Sequence, residues 1–263
     1  MDKQPQIGAT GQTRRPGRRP HIQMGKRRLP TNVASTVGKD HRYNWVFFRT
    51  NELDHSRFQN EYGSTIRYVV REAFPGLNMT VDVGHLLERA DIIGMVVVEK
   101  EVVGMCSLSV SDTLYRGEYL AWVNKIALMP VAQKKGLATI RLVTSLRDFL
   151  PGKRIGYLGC FSQNPELIEG FSRLGTRIYP IPSGCDTSEG DTILNFLARE
   201  VPQCIPRIVL PTNQVWTRGF VEGLYGRNIT PSTKTTSTLI SELEAIGFDA
   251  DRGDAVILVI HLK

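Results

Sequence analysis

The sequence predicts an α/β protein organised around one strand–turn–helix unit, and three observations carry that reading. Residues 122–150 (WVNKIALMPVAQKKGLATIRLVTSLRDFL) put an apolar run, a short polar turn and an amphipathic helical pattern in direct succession. Residues 91–110 hold two β-rich runs split by Glu99, Lys100 and Glu101, the pattern of a hairpin. Strand-like and helix-like segments are interleaved from residue 42 to about residue 181, as a layered α/β domain requires. A chain of 263 residues, 41% hydrophobic and 22% charged, is long enough for a sizeable core.

The elements follow in order. Residues 1–28 hold eight of the 33 basic residues and one of the 26 acidic ones, leaving 25 of each elsewhere, so this tail carries the whole net charge of +7. With Pro, Gly and Gln between its arginines and almost nothing apolar, the segment 1–40 is expected to be a disordered basic tail. Such an arm can make weak, salt-dependent contacts with nucleic acid, or serve as a solubilising or targeting extension, since no aromatic residue interleaves the arginines. The stretch 42–49 (RYNWVFFR) reads as a first strand, after which Thr50 or Asn51 can cap a helix. Leu53, Phe58, Tyr62, Ile66, Val69, Val70 and Phe74 form one stripe of a helix over 53–74 that Pro75 and Gly76 stop, and a shorter helix is expected at 81–90. The hairpin comes next, then a polar loop at 111–118.

A strand at 123–128 is closed by Pro130, which denies the next ladder hydrogen bond. From Leu137 the apolar residues Ile140, Val143, Leu146, Phe149 and Leu150 recur at helical spacing. A strand at 153–161 and a helix at 164–174, started by Asn164 and Pro165 and ended at Gly175, complete the core at residues 41–181. The extension 182–263 reads as a helix at 191–200, a strand at 207–210, a helix at 213–225, a Thr/Ser-rich loop at 230–238, a helix at 237–246 and a strand at 254–262. That last strand either returns to the main sheet, with the preceding segment as an insertion, or belongs to a separate lobe. Trp216, Phe220 and Tyr225 are at roughly helical spacing and read as core residues.

Cys106, Cys160, Cys185 and Cys204 show no CxxC pairing and no zinc-site spacing, so reduced structural thiols and no bound metal are expected. The chain has no membrane-length apolar run and its N-terminus lacks the apolar core of a signal peptide, which points to a cytoplasmic protein, or a nuclear one in a eukaryote, with no membrane partner. In that setting the glycosylation patterns at Asn78 and Asn228 would meet no such machinery.

Gln133, Lys134, Lys135, Gly136, Leu137 and Ala138 are thus expected across a helix N-terminus, where free N–H groups and the macrodipole favour an anion such as phosphate. Gly136 lets a ligand approach the backbone, and the two lysines add charge. An ordinary helix start with solvated lysines would look the same. These six residues resemble the signature of the GNAT superfamily of N-acetyltransferases: Gln or Arg, two variable residues, Gly, one variable residue, then Gly or Ala. The order strand, helix, helix, hairpin, strand, signature helix, strand, helix is similar to that family's order as well.

The resemblance implies a mixed, mostly antiparallel sheet flanked by helices, in which the signature strand and the next one splay apart to admit a thioester. It implies acetyl-CoA as cosubstrate, its pyrophosphate on residues 133–138, its thioester carbonyl polarised by the backbone of Ile126, Ala127 and Leu128, and Asn164 on the cofactor side. The helices at 53–74 and 81–90 would wall the acceptor site, for an amine on a small molecule or a protein. Two positions depart from the family pattern: Phe171 stands where many members carry a proton-donating tyrosine, and Thr176 replaces the usual phenylalanine. Glu118 is the first candidate for the general base and Asp112 the second, against solvated loop acids. Cys160 has no base paired with it in the sequence pattern and reads as a buried thiol. The function implied is acetyl, or more broadly acyl, transfer to an amine by direct attack. A GNAT-fold protein that binds CoA without transferring anything, and a nucleic-acid-associated protein working through its basic arm, are the alternatives.

If the tail buries no core, deleting residues 1–28 leaves acyl-CoA binding and the melting temperature nearly unchanged. Loss of cooperative unfolding in the truncated protein, followed by circular dichroism, would show the tail to be structural.

Overall fold

The computed structural model describes residues 43–74, 81–162, 164–179, 188–201, 216–217, 241 and 255–263. The basic tail, Asn78, Asn228, Cys185, Cys204, Phe220, Tyr225, the strand expected at 207–210, the loop at 230–238 and nearly all of the helix at 237–246 lie outside the described residues.

Strands β1 (Asn44–Arg49), β2 (Ile92–Val98), β3 (Glu101–Val110), β4 (Tyr119–Leu128), β5 (Ile155–Ser162), β6 (Gly175–Tyr179) and β8 (Ala255–Leu262) form one sheet in the order β1-β2-β3-β4-β5-β8-β6, with the short β7 (Trp216–Thr217) also pairing β8. β1 to β4 are antiparallel neighbours, β4 and β5 run parallel, and β8 is antiparallel to both β5 and β6. The chain's last strand therefore sits inside the sheet. Its apolar run from Ala255 to Ile260 is buried throughout, as a strand covered on both faces requires.

Alternation along the strands builds two cores. Val46, Phe48, Ile93, Met95 and Met105 face α1 (His55–Ala73) and α2 (Val83–Arg89), whereas Trp45, Phe47, Cys106 and Leu108 face α3 (Ile140–Phe149). Phe47 meets Phe149 of α3 at 5.4 Å between ring centroids, and Phe48 meets Phe58 of α1 at the same separation. α4 (Pro165–Ser172) and α5 (Ser188–Glu200) complete the helical layers.

Several boundaries correct the sequence expectation. Thr50–Glu52 is a 3-10 turn, and α1 is capped by Asp54, whose Oδ1 accepts from Arg57 N at 3.0 Å, so neither Thr50 nor Asn51 is the cap. α2 is likewise capped by Asp82. The hairpin turn is Glu99 and Lys100, both at positive φ, which matches the twist of the flanking strands. β4 starts at Tyr119, before the expected strand. Trp216 and Thr217, expected in a helix, are extended and pair with Val256 and Ala255. β6 was not legible as a strand, because GTRIY is short and alternates poorly.

α5 is fastened to the β3–β4 connection by one carboxylate. Glu200, its side chain 5% exposed, accepts from the backbone N–H groups of Asp112 and Thr113, from Thr113 Oγ1 and from Arg199 Nε. Burial disfavours its charge, but these donors overcome that and hold its pKa down to about 2 against an ordinary 4.5. A depressed carboxylate stabilises the fold fully above its unfolded pKa and loses that contribution as pH falls toward the folded one. Acid titration between about pH 4.5 and 2 should therefore weaken α5 docking, and Glu200→Gln should flatten that part of the stability curve. Hydrogen exchange of the α5 amides reads this directly, and equal pH sensitivity in the variant would refute the clamp.

Candidate active site

The β4–β5 ladder runs from Tyr119 opposite Ile155 to Val123 opposite Cys160 and then stops. β4 continues to Leu128 on its β3 side, where Ile126 pairs Cys106, Ala127 pairs Met105 and Leu128 pairs Gly104. β5 continues to Ser162 on its β8 side. The two parallel strands thus part after Val123. A register shift marks the place: Lys125 opposes Ser107 and Val123 opposes Leu108, so Asn124 is the extra residue of a bulge. Beyond it, alternate backbone groups of β4 face away from β3 and have no partner strand among the described residues.

The chain leaves this open end through a 3-10 turn, Pro130–Ala132, into a loop that precedes α3. Lys134 and Gly136 both adopt positive φ, 58° and 68°. Among the described residues, the backbone N–H groups of Lys134, Lys135, Gly136, Leu137 and Ala138 have no hydrogen-bond acceptor. Successive free N–H groups in such a conformation form an anion-binding concavity. The Gly136 carbonyl is turned the other way and accepts from Thr139 N and Arg141 N.

The loop is held rigidly from beneath. Trp45 Nε1 of β1 donates to Leu137 O at 3.0 Å, Tyr43 Oη donates to Val131 O at 3.0 Å, and Gln133 Nε2 donates to Leu128 O at 2.9 Å. Leu137 and Ala132 are buried plugs, and Lys135 Nζ lies over the Tyr43 ring. Val131 and Ile140, 52% and 57% exposed, flank the row of N–H groups with apolar surface. The arrangement suits a ligand with both an anionic and an apolar part.

Two expectations change here. α3 begins at Ile140 with Thr139 as its N-cap, so Gln133 to Ala138 form the loop before the helix rather than its first turn. Ile140 is exposed and Leu142 and Ser145 are buried, a rotation of the helix relative to the expected stripe that brings Leu142 to the core. Tyr43 and Trp45 were not singled out from the sequence. A strand rich in aromatic residues gives no sign that one indole reaches a carbonyl in a loop 92 residues away.

Asn164 caps α4, its Oδ1 accepting from Glu166 N at 3.0 Å while its own N–H donates to Ser162 Oγ at the end of β5. Phe171 is fully buried on α4. Cys160, at the last β4–β5 pair, is buried, and burial pushes its thiol up to about 12, so it is protonated at neutral pH and no nucleophile. Burial raises the Cys106 thiol too. Glu118 is not brought to the opening. It precedes β4 at the end where β4 and β5 are still paired, about 20 Å of strand from Asn124. Its carboxylate accepts from Arg154 Nε at 2.7 Å and from His261 Nε2 at 2.8 Å, and lies over Gly156 where any Cβ would collide with it. Asp112 sits at that same end, exposed in the β3–β4 connection.

No family model matches the chain, and no curated protein does. Among solved structures it is similar to an aminoglycoside acetyltransferase from an uncultured soil metagenomic sample in complex with sisomicin, at 15% identity over 65% of this chain and 95% of that one, with a TM-score of 0.34. A second soil metagenomic aminoglycoside acetyltransferase, HMB0005, is similar at 16% identity over 56% of this chain and 99% of that one, with a TM-score of 0.40. Arabidopsis thaliana Naa50, in complex with the bisubstrate analogue CoA-Ac-MVNAL, is similar at 9% identity over 50% and 82%, with a TM-score of 0.34. The chain's own strand order, with a parallel pair that parts after Val123 in an otherwise antiparallel sheet flanked by helices, is the architecture that the resemblance to the GNAT superfamily implies. No helix among the described residues is long and apolar enough to cross a membrane.

The placement of Glu118 makes its role measurable. Glu118→Gln removes the charge that Arg154 and His261 share and should cost about 1 to 3 kcal/mol in urea unfolding. An unchanged unfolding midpoint would show the ion-pair cluster to be energetically idle.

Proposed function

We propose that the protein transfers an acetyl or related acyl group from acetyl-CoA to an amine by direct attack. The observation that carries this reading is the parting of β4 and β5 directly upstream of a loop with unsatisfied N–H groups. A slot between strands and an anion cradle at its mouth match the two ends of an acyl-CoA, thioester and diphosphate. The N–H groups of Lys134 to Ala138 would hold the diphosphate, with Lys134 and Lys135 beside it. The outward backbone groups around Ile126 to Leu128 would pair with the pantetheine arm and polarise the thioester carbonyl. Asn164 retains side-chain N–H groups after capping α4 and stands on the β5 side of the slot.

In the reaction, the amine nitrogen bonds to the carbonyl carbon, the carbon–sulfur bond breaks, and the thiolate leaves. One proton is lost by the ammonium before attack and one is gained by the thiolate. Phe171 cannot supply the second, so water does. Glu118 and Asp112 stand too far along β4 to remove the first, and the base assigned to Glu118 from the sequence is withdrawn in favour of water in the opening. The buried Phe171 also fits a CoA-binding protein without turnover, which a thioester-cleavage assay against a panel of amines separates from the enzyme.

Gly136 provides the test of the cradle. Its φ of 68° and its place outside α3 mean that any side chain there is strained. Gly136→Ala and Gly136→Glu should both lose about 1 to 2 kcal/mol of stability. The glutamate variant alone adds a negative charge, and its CoA affinity should fall about a hundredfold below that of the alanine variant. Calorimetric titration of both folded variants checks this, and equal CoA affinities would sink the acyl-CoA reading of the loop.

A further inference from the structure

The opening has two faces of different chemistry. The loop at 133–139 and α3 lie on the face that carries Trp45, Phe47 and Cys106. The opposite face carries α1 and α2, and on it the β4 side of the opening is polar. Lys125 pairs Ser107 across the ladder, and alternation sets both on the α1 face with Ala127 and Met105, which pack into that core. Ser109 shares the face, accepting from Asn124 Nδ2 at 3.0 Å and donating to Arg89 O at 3.3 Å.

Lys125 stands at the opening, two residues past the point where β4 and β5 part. Among the described residues no carboxylate pairs with its ammonium. It is exposed to solvent, yet desolvation lowers its pKa below the ordinary lysine range. Both observations hold together for a side chain on a concave wall, which water reaches while protein fills much of the surrounding space. Beside it in the ladder, Ser107 Oγ is buried with no hydrogen-bond partner. A cation that has lost hydration and has no counter-ion is raised in free energy, and an arriving anion recovers that cost.

We propose that the acceptor amine carries an anionic group a few bonds from its nitrogen, and that Lys125 receives this group on the α1 face of the opening. The proposal rests on the acyl-transfer reading and specifies its acceptor class. Cosubstrate phosphates are held on the α3 face, so Lys125 is free to act on the second substrate. The same charge works against polycationic acceptors.

The experiment begins with CoA titration of the full chain and then compares matched amines in acetyl-CoA cleavage: O-phosphoethanolamine with ethanolamine, and β-alanine with propylamine. The wild type should favour the anionic member of each pair by about tenfold or more in kcat/KM, the size expected of one partly desolvated charge contact. Lys125→Met should bring both ratios close to one, chiefly through KM for the anionic amines, and Lys125→Arg should keep them. Lys125→Glu should invert them. Ratios near one in the wild type, or an equal loss with all four amines in Lys125→Met, overturns the proposal, the second outcome marking a proton-transfer or structural role. If CoA binds but no amine is turned over, calorimetric binding of the four amines to the CoA-loaded protein decides it, and binding without preference for the anionic members overturns it. Failure to bind CoA removes the acyl-transfer reading, and this proposal with it, whereas CoA binding with indifferent amine ratios removes this proposal alone.

Discussion

The structure turns on one unmet pairing. Past Val123, β4 has β3 on one side and no strand among the described residues on the other, while β5 has turned to β8. Two parallel strands in an otherwise antiparallel sheet can part only if each keeps a second neighbour. β3 supplies that neighbour for β4 through a bulge at Asn124, and β8 supplies it for β5 with six ladder pairs from Tyr157 to Ser162. The return of the last strand is therefore the condition for the slot. Without β8, β5 would be an edge strand with unpaired groups on both sides of its C-terminal half.

The loop that follows β4 obeys a similar logic of strain offset by anchoring. A non-glycine residue at positive φ costs on the order of 1 kcal/mol, and Lys134 adopts that conformation beside Gly136. The indole of Trp45, the phenol of Tyr43 and the amide of Gln133 each fix a carbonyl of the segment 128–137, and Leu137 is driven into the core. Carbonyls tied down on the inner side leave the N–H groups facing outward. The outward row of N–H groups is thus set as much by Tyr43 and Trp45 as by the six residues of the motif.

What was legible in the sequence followed from period and punctuation. The hairpin turn at Glu99 and Lys100, the stop at Pro130 and the cap at Asn164 are local chemistry, and they sit at or beside the places the sequence indicates. The phase of α3 was not legible, because Ile140 and Leu142 are both apolar and only the tertiary fit decides which is buried. The distance of Glu118 from the opening was not legible for a related reason. Its position just before the signature strand says nothing about which end of β4 opens, and the opening is set by where β5 stops pairing, near Cys160. Lys125 gave no signal as a single lysine in an apolar run, since what singles it out is its place past the parting of β4 and β5, beside the unsatisfied Ser107 hydroxyl.

The chemistry proposed for the opening is consistent with its sparse complement of acids and bases. Phe171 offers no proton, Cys160 is held neutral, and the carboxylates of Glu118 and Glu200 are bound up in structural contacts away from the slot. An amine attacking a thioester needs chiefly to be neutral and well placed. Lys125 would supply the placement by holding the acceptor's anionic group. Charge at one lysine would then position the acceptor, leaving water to carry the proton and the β4 backbone to carry the developing negative charge on the carbonyl oxygen.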